Sequence, residues 1–94
     1  MFDTKILGNG EIAFCGRLDA SQAEKADKVL QGINSSKTLN LTDLEYISSA
    51  GLGILLTHQK RLKSIGHSLR LINLTKHVKD VFSLTGFDQI FEIK

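Results

Sequence analysis

Short strand-like runs alternating with segments of helical periodicity predict an α/β domain. It consists of a mixed, mostly parallel β-sheet with an antiparallel hairpin at its N-terminal edge and helices packed against it. Two runs near the start are separated only by the turn tripeptide Gly8-Asn9-Gly10. Strand-like and helix-like segments then alternate through short connections, which implies parallel strands joined by right-handed crossovers. Proline is absent, so each helix must stop by glycine, capping or charge. The predicted order is β β α β α β α β, in one domain spanning residues 1–94.

Phe2 to Leu7 alternates loosely and forms the first strand; Glu11 to Leu18 forms the second. Gly16-Arg17-Leu18-Asp19 then leaves the sheet. Asp19 or Ser21 can cap the first helix, with Glu24 placed as in a capping box. Ala23, Ala26, Val29, Leu30 and Ile33 make its apolar stripe, with Lys25, Asp27 and Lys28 on the other face. Gly32 and Asn34-Ser35-Ser36 end it. Thr38 to Leu44 reads as one interior strand. A second helix opens after Tyr46-Ile47-Ser48-Ser49, with a stripe of Leu52, Leu55, Leu56, Gln59 and Leu62, and Ile65-Gly66 closes it. Lys60, Arg61 and Lys63 fall late in it, where the helix dipole favours cations. Ser68 to Ile72 is a further strand. Thr75 caps a third helix, with Val78, Val81, Phe82 and Leu84 facing inward and Thr85-Gly86 at its end, and Ile90 to Ile93 adds a last short strand.

Composition narrows the function classes. The chain has 12 basic and 10 acidic residues, for a net charge of +2, and no arginine-rich run or aromatic cluster, so nucleic acid is not an expected partner. No segment approaches the roughly 20 apolar residues of a membrane span, and the N-terminus lacks a signal peptide's basic start and apolar stretch. The chain reads as cytoplasmic, without direct membrane insertion. The single cysteine, Cys15, cannot form an internal disulfide and is expected to be a buried, inert thiol.

Little in the sequence suggests catalysis or a cofactor. His58, His67 and His77 show no metal-ligand spacing and are expected at the surface. A Ser-His-Asp hydrolase would use Ser49, a histidine and Asp19 or Asp43, but the turn lacks the Gly-x-Ser-x-Gly elbow. There is no phosphate-cradling Gly-rich loop and no dinucleotide fingerprint.

The turn Ser48-Ser49-Ala50-Gly51 is the unusual feature. A serine at a helix start is an ordinary N-cap. Gly51 and Gly53, however, each cost roughly 1 kcal/mol relative to alanine inside a helix. Broken local rules of this kind are most often found at functional sites. With Ala50, the two glycines leave backbone bare beside the hydroxyls, as a surface approached closely by a partner would require.

The segment from Leu41 to Leu56 resembles the core signature of STAS domains, and more narrowly that of bacterial anti-sigma factor antagonists (anti-anti-sigma factors). Gly16-Arg17-Leu18-Asp19 is similar to the family's Gly-x-Leu-Asp after the second strand, and residues 78 to 87 to its third-helix ending. The family's turn reads Asp-Ser-Ser/Thr-Gly-Leu-Gly, with the first serine phosphorylated by a partner kinase. Aligned on Gly51, that serine is Ser49, the family's aspartate is Ser48 here, and Ala50 precedes the glycine. The resemblance implies a STAS fold with no enzymatic activity and no cofactor. It implies that the unphosphorylated chain, monomeric when free, binds an anti-sigma factor/serine kinase of the GHKL ATPase type and releases its client. Phosphorylation of Ser49 would end that binding and a PP2C-type phosphatase would restore it. Asp19, Ser48, Ser49, Ala50, Gly51 and Gly53 are the residues it assigns to the contact. The alternative within the same fold is an accessory subunit of an ABC-type lipid transport complex.

Overall fold

The computed structural model describes residues 1–94. Strands β1 (Phe2–Ile6) and β2 (Ile12–Leu18) form the N-terminal antiparallel hairpin, closed by the Leu7 N–H donating to the Glu11 carbonyl at 2.8 Å. A 3₁₀ turn (Ala20–Gln22) leads into α1 (Ala23–Gln31). There follow β3 (Lys37–Asn40), β4 (Leu44–Ile47), α2 (Ser49–Ser64), β5 (Leu69–Ile72), α3 (Lys76–Thr85), a 3₁₀ turn over Phe87–Gln89, and β6 (Glu92–Ile93). The sheet has six strands in the order β1-β2-β3-β5-β6, with β4 also paired to β2. Only the hairpin is antiparallel; every other pairing is parallel. The expected α/β class, mixed sheet and edge hairpin are therefore present.

One strand of the predicted order is two. The run Thr38 to Leu44 breaks at Asn40, whose side-chain oxygen accepts from the Thr42 N–H at 3.0 Å and from the Thr42 hydroxyl at 2.6 Å. This Asx turn competes with the strand ladder. β3 therefore pairs with the first half of β2, through Ile12↔Leu39, and β4 with the second half, through Leu18↔Ile47. The register shifts at Gly16, which has φ +92°, and a Cβ there would lie 2.1 Å from the Met1 carbonyl oxygen. Only glycine fits, and the resulting bulge lets β2 serve both partners.

The helices cover one face of the sheet. Phe2, Ile12, Phe14, Leu39, Leu69 and Leu71 point into that face and are buried with Leu30, Leu55, Leu62, Val78 and Phe82 from the helices. On the other face Asp3, Lys5, Arg70 and Glu92 are exposed or half-buried. Cys15 also lies on this face and is half-buried, not enclosed as expected. In α3, Val78 and Phe82 are buried, but Leu84 points outward and is 87% exposed. Thr75 occupies the N-cap position without capping; its hydroxyl donates instead to the Leu44 carbonyl at 2.9 Å, tying α3 to β4.

The open edge of β1 is partly blocked by its own neighbours. Met1 and Leu7 turn their backbone groups toward β2, so Phe2, Thr4 and Ile6 turn theirs outward. The Lys25 ammonium donates to the Phe2 carbonyl at 2.8 Å, and the Asp3 carboxylate accepts from the Thr4 N–H at 2.8 Å. A lysine and an aspartate thus occupy bonds that another strand would need.

Candidate functional site

The parallel strands β2 and β4 deliver Leu18-Asp19 and Ile47-Ser48 side by side, and the Ser48 N–H donates to the Leu18 carbonyl at 2.9 Å. Asp19, Ser48, Ser49 and Ala50 are thereby gathered at the C-terminal ends of the two strands.

The adjacent serines differ in what their side chains do. Ser48 is the N-cap of α2: its hydroxyl oxygen accepts from the Gly51 N–H at 3.1 Å, and its carbonyl accepts from the Leu52 N–H. Ser49 is the first helical residue, exposed, and takes no part in the cap. Ala50 and Gly53 are also exposed. At spacings of three and four residues, Ser49, Ala50 and Gly53 share one side of the helix. A Cβ on Gly53 would meet nothing within 4 Å.

Gly51 is placed differently. It is buried, and a Cβ there would stand 2.8 Å from Leu18 Cγ and 3.1 Å from Ile47 Cγ1. Its small size lets α2 start close over β2 and β4, so it shapes the surface from behind and does not itself lie open to a partner. Leu52 and Leu55 are core residues, as their periodicity predicts.

Asp19 caps the 3₁₀ turn before α1. Its Oδ1 accepts from the Ser21 hydroxyl at 2.6 Å and from the Ser21 N–H at 3.1 Å. The Ser21 hydroxyl bond first, then the backbone N–H groups and the N-terminal ammonium, hold its carboxyl below the usual range despite some desolvation. It is therefore a carboxylate at neutral pH. Ser21 makes no capping box; the 3₁₀ turn supplies the entry to α1 instead.

One histidine departs from expectation. His58 is only 4% exposed and clamps α1 to α2. Its Nε2 lies 2.6 Å from Asp27 Oδ1, and Arg61 Nε donates to its Nδ1 at 3.2 Å. With Nδ1 accepting, the neutral ring carries its proton on Nε2 and donates it to Asp27. Asp27, expected on the solvent face, thus faces α2. Arg61 extends the clamp to the Leu30 and Ile33 carbonyls at 3.0 and 2.8 Å. The sequence signal was faint: a His and an Arg at i, i+3, and a carboxylate on the polar side of α1.

This His-Asp pair does not serve Ser49. It lies nine residues further along α2, roughly 13 Å at 1.5 Å per residue. The two larger clefts, of 470 and 660 Å³, are lined by neither serine. The first turn of α2 is an open surface of small side chains that lines neither cleft. No three His, Cys, Asp or Glu side chains are grouped to hold a metal ion, and no helix is long and apolar enough to cross a membrane.

Comparison with known proteins agrees with this geometry. The family model described as "Mlab, STAS domain" matches residues 8–92. The chain is 38% identical over 77 residues to the anti-sigma factor antagonist BtrV of Bordetella bronchiseptica, covering 82% of this chain and 63% of that protein, so about a third of that relative's length lies outside the match. It is 30% identical over 88 residues to the anti-sigma-B factor antagonist of Listeria monocytogenes, covering 89% of this chain and 77% of that one. Its fold is similar to that of an anti-sigma factor antagonist from Thermotoga maritima, with a TM-score of 0.78 and 27% identity over 98% of this chain and 84% of the other. It also matches the phosphorylated form of the Bacillus cell fate determinant SpoIIAA, with a TM-score of 0.69 and 19% identity over 100% and 91% of the two chains. On sequence and fold together, the chain belongs to the STAS domain family and is similar to anti-sigma factor antagonists within it.

Proposed function

We propose that this chain is a regulatory binding module switched by phosphorylation at Ser49. Unphosphorylated, it captures an anti-sigma factor that is a serine kinase of the GHKL ATPase type, and so frees that factor's client. Phosphorylation of Ser49 by the same partner ends the capture, and a PP2C-type phosphatase resets it. The supporting observation is the division of labour between the two serines: Ser48 is committed to the helix cap, while Ser49 is exposed on a small-residue surface with Ala50 and Gly53.

The physics of the turn suits such a switch. A phosphate adds about −1.5 to −2 charges. At the first turn of a helix, free N–H groups and the dipole favour an anion by about 0.3–1 kcal/mol, so the fold tolerates it. In a closed complex the same dianion is desolvated without a partner, at a cost of several kcal/mol. Asp19 adds like charge beside it. Each 1.4 kcal/mol is about tenfold in affinity, so a loss of about two decades or more follows.

The test is a pull-down from the source bacterium with wild type, Ser49→Ala and Ser49→Asp, followed by intact-mass measurement of the recovered chain. Wild type and Ser49→Ala should recover a kinase-type anti-sigma factor, and Ser49→Asp should not. A single phosphate on wild type, absent from Ser49→Ala, should appear when that partner is supplied with ATP. Recovery of a membrane-associated ATPase equally by all three chains would instead identify an accessory subunit of a lipid transport complex.

A further inference from the structure

Arg17 stands on the open face of the sheet, two residues before Asp19. It is exposed and enters no ion pair, whereas Arg70 on the same face pairs with Glu92. Its guanidinium carbon sits 4.4 Å from the centroid of the Tyr46 ring. Tyr46 in turn stacks on His77 at the start of α3, with centroids 5.5 Å apart and ring planes 16° apart. Arg17 and Tyr46 are paired in register between β2 and β4. Each stands two residues before the turn, ahead of Asp19 and Ser48 respectively. At about 3.3 Å per residue, the stack lies roughly 7 Å along the strands from Asp19 and Ser48, the residues that lead into the Ser49 surface.

Stacking fixes the plane of a guanidinium while leaving its N–H edge free. An arginine already laid on a ring loses less side-chain freedom when it binds than one waving in solvent. Asp3 and Glu45 border the same shallow hollow as Arg17, but neither reaches it at ion-pair distance, and Asp3 is engaged with Lys25. The donor edge is therefore both oriented and unoccupied.

We propose that Arg17, seated on Tyr46, anchors a carboxylate side chain of the anti-sigma factor that meets the Ser49 surface. The inference rests on the reading of that surface as the docking site. Charge and shape select the occupant: a planar fork of donors takes a carboxylate through two parallel hydrogen bonds, and arginine is enriched among the residues that carry interface affinity. The seat is part of the device, because it orients the fork before the partner arrives. His77 supports the ring from α3, so three elements converge on this anchor.

Calorimetric titration with the purified anti-sigma factor recovered in the pull-down tests this. Arg17→Ala should weaken binding about tenfold or more, as expected for losing a charged hydrogen-bonded anchor. Arg17→Lys should recover only part of the loss, since lysine has no fork. Tyr46→Leu should cost about as much as Arg17→Ala, Tyr46→Phe should bind like wild type, and the Arg17→Ala/Tyr46→Leu pair should be no weaker than either single change. The salt dependence of Kd should flatten in Arg17→Ala. Thermal melts identify any variant lost to misfolding, and Tyr46→Phe with Arg17→Lys keeps the test alive in that event. Binding by Arg17→Ala within twofold of wild type, while Ser49→Asp abolishes it, would overturn the anchor and leave the docking surface standing. Loss in Arg17→Ala without loss in Tyr46→Leu would overturn the role of the seat. If Ser49→Asp itself binds like wild type, the docking reading falls first.

Discussion

Along α2, the first turn and the stretch from Leu55 to Leu62 carry side chains of opposite kinds. The start of the helix offers Ser49, Ala50 and Gly53 to solvent and is held from behind by a capping hydroxyl, the buried Gly51 and the buried Leu52. The later stretch buries Leu55, His58, Gln59 and Leu62. It binds its neighbours through side chains: His58 and Arg61 to α1, and Gln59 to the Leu69 N–H at 2.7 Å. One helix therefore anchors the domain at its middle and presents a bare surface at its start. A charge added on the outward side of the start has little packing to disturb, and this separation is what a covalent switch needs.

Substitutions along α2 test that separation. The largest effect should come from Ser49→Asp, which should weaken capture of the anti-sigma factor by about a hundredfold or more while shifting stability by less than about 0.5 kcal/mol. Titration calorimetry and urea unfolding read the two quantities; a large stability loss would mean that the two ends are not independent. His58→Ala should do the reverse. It leaves Asp27 and Arg61 without their shared partner, so unfolding should become easier by about 2–3 kcal/mol while affinity per folded molecule stays unchanged.

The two glycines of the first turn should separate in sign. Gly51→Ala drives a Cβ into Leu18 and Ile47, and overpacking of about 1–3 kcal/mol outweighs the roughly 1 kcal/mol gained in helix propensity. Gly53→Ala meets nothing and should stabilise by roughly 1 kcal/mol. Urea midpoints for the pair would settle this, and equal signs would mean that the turn relaxes freely. The smallest effect is on the acid side. The hydrogen bond from His58, followed by that from Gln31, holds Asp27 below the usual carboxylate range in spite of some desolvation. Its contribution is thus present above the unfolded value of about 4 and is lost as pH falls through the lower folded value. Asp27→Asn should show a shallower loss of stability below about pH 4 in thermal melts.

The sequence made the layout legible because strand-like runs and helical stripes alternate with few ambiguities. Its failures are local and have physical causes. Asn40 reads as one polar residue in an apolar run, yet its side chain outcompetes the ladder and divides the strand. Leu84 is apolar, but six residues after Val78 it stands about 120° round the helix from the buried stripe of α3 and turns to solvent. His58 and Asp27 are individually ordinary polar residues, and only the approach of two helices makes them a buried pair. At the turn, composition and spacing identified the two serines and the odd glycines. Which serine was free, and which glycine was packed, depended on hydrogen-bond geometry and on side chains contributed by other strands.

The partly blocked edge of β1 bears on how such a regulator would be counted. A protein that acts by one-to-one capture reports its own concentration faithfully only if its free copies do not sequester one another. Lys25 and Asp3 fill two of the outward bonds through which strands would join. On the function proposed above, each edge bond filled from within the chain removes one route by which free copies would be diverted from the anti-sigma factor.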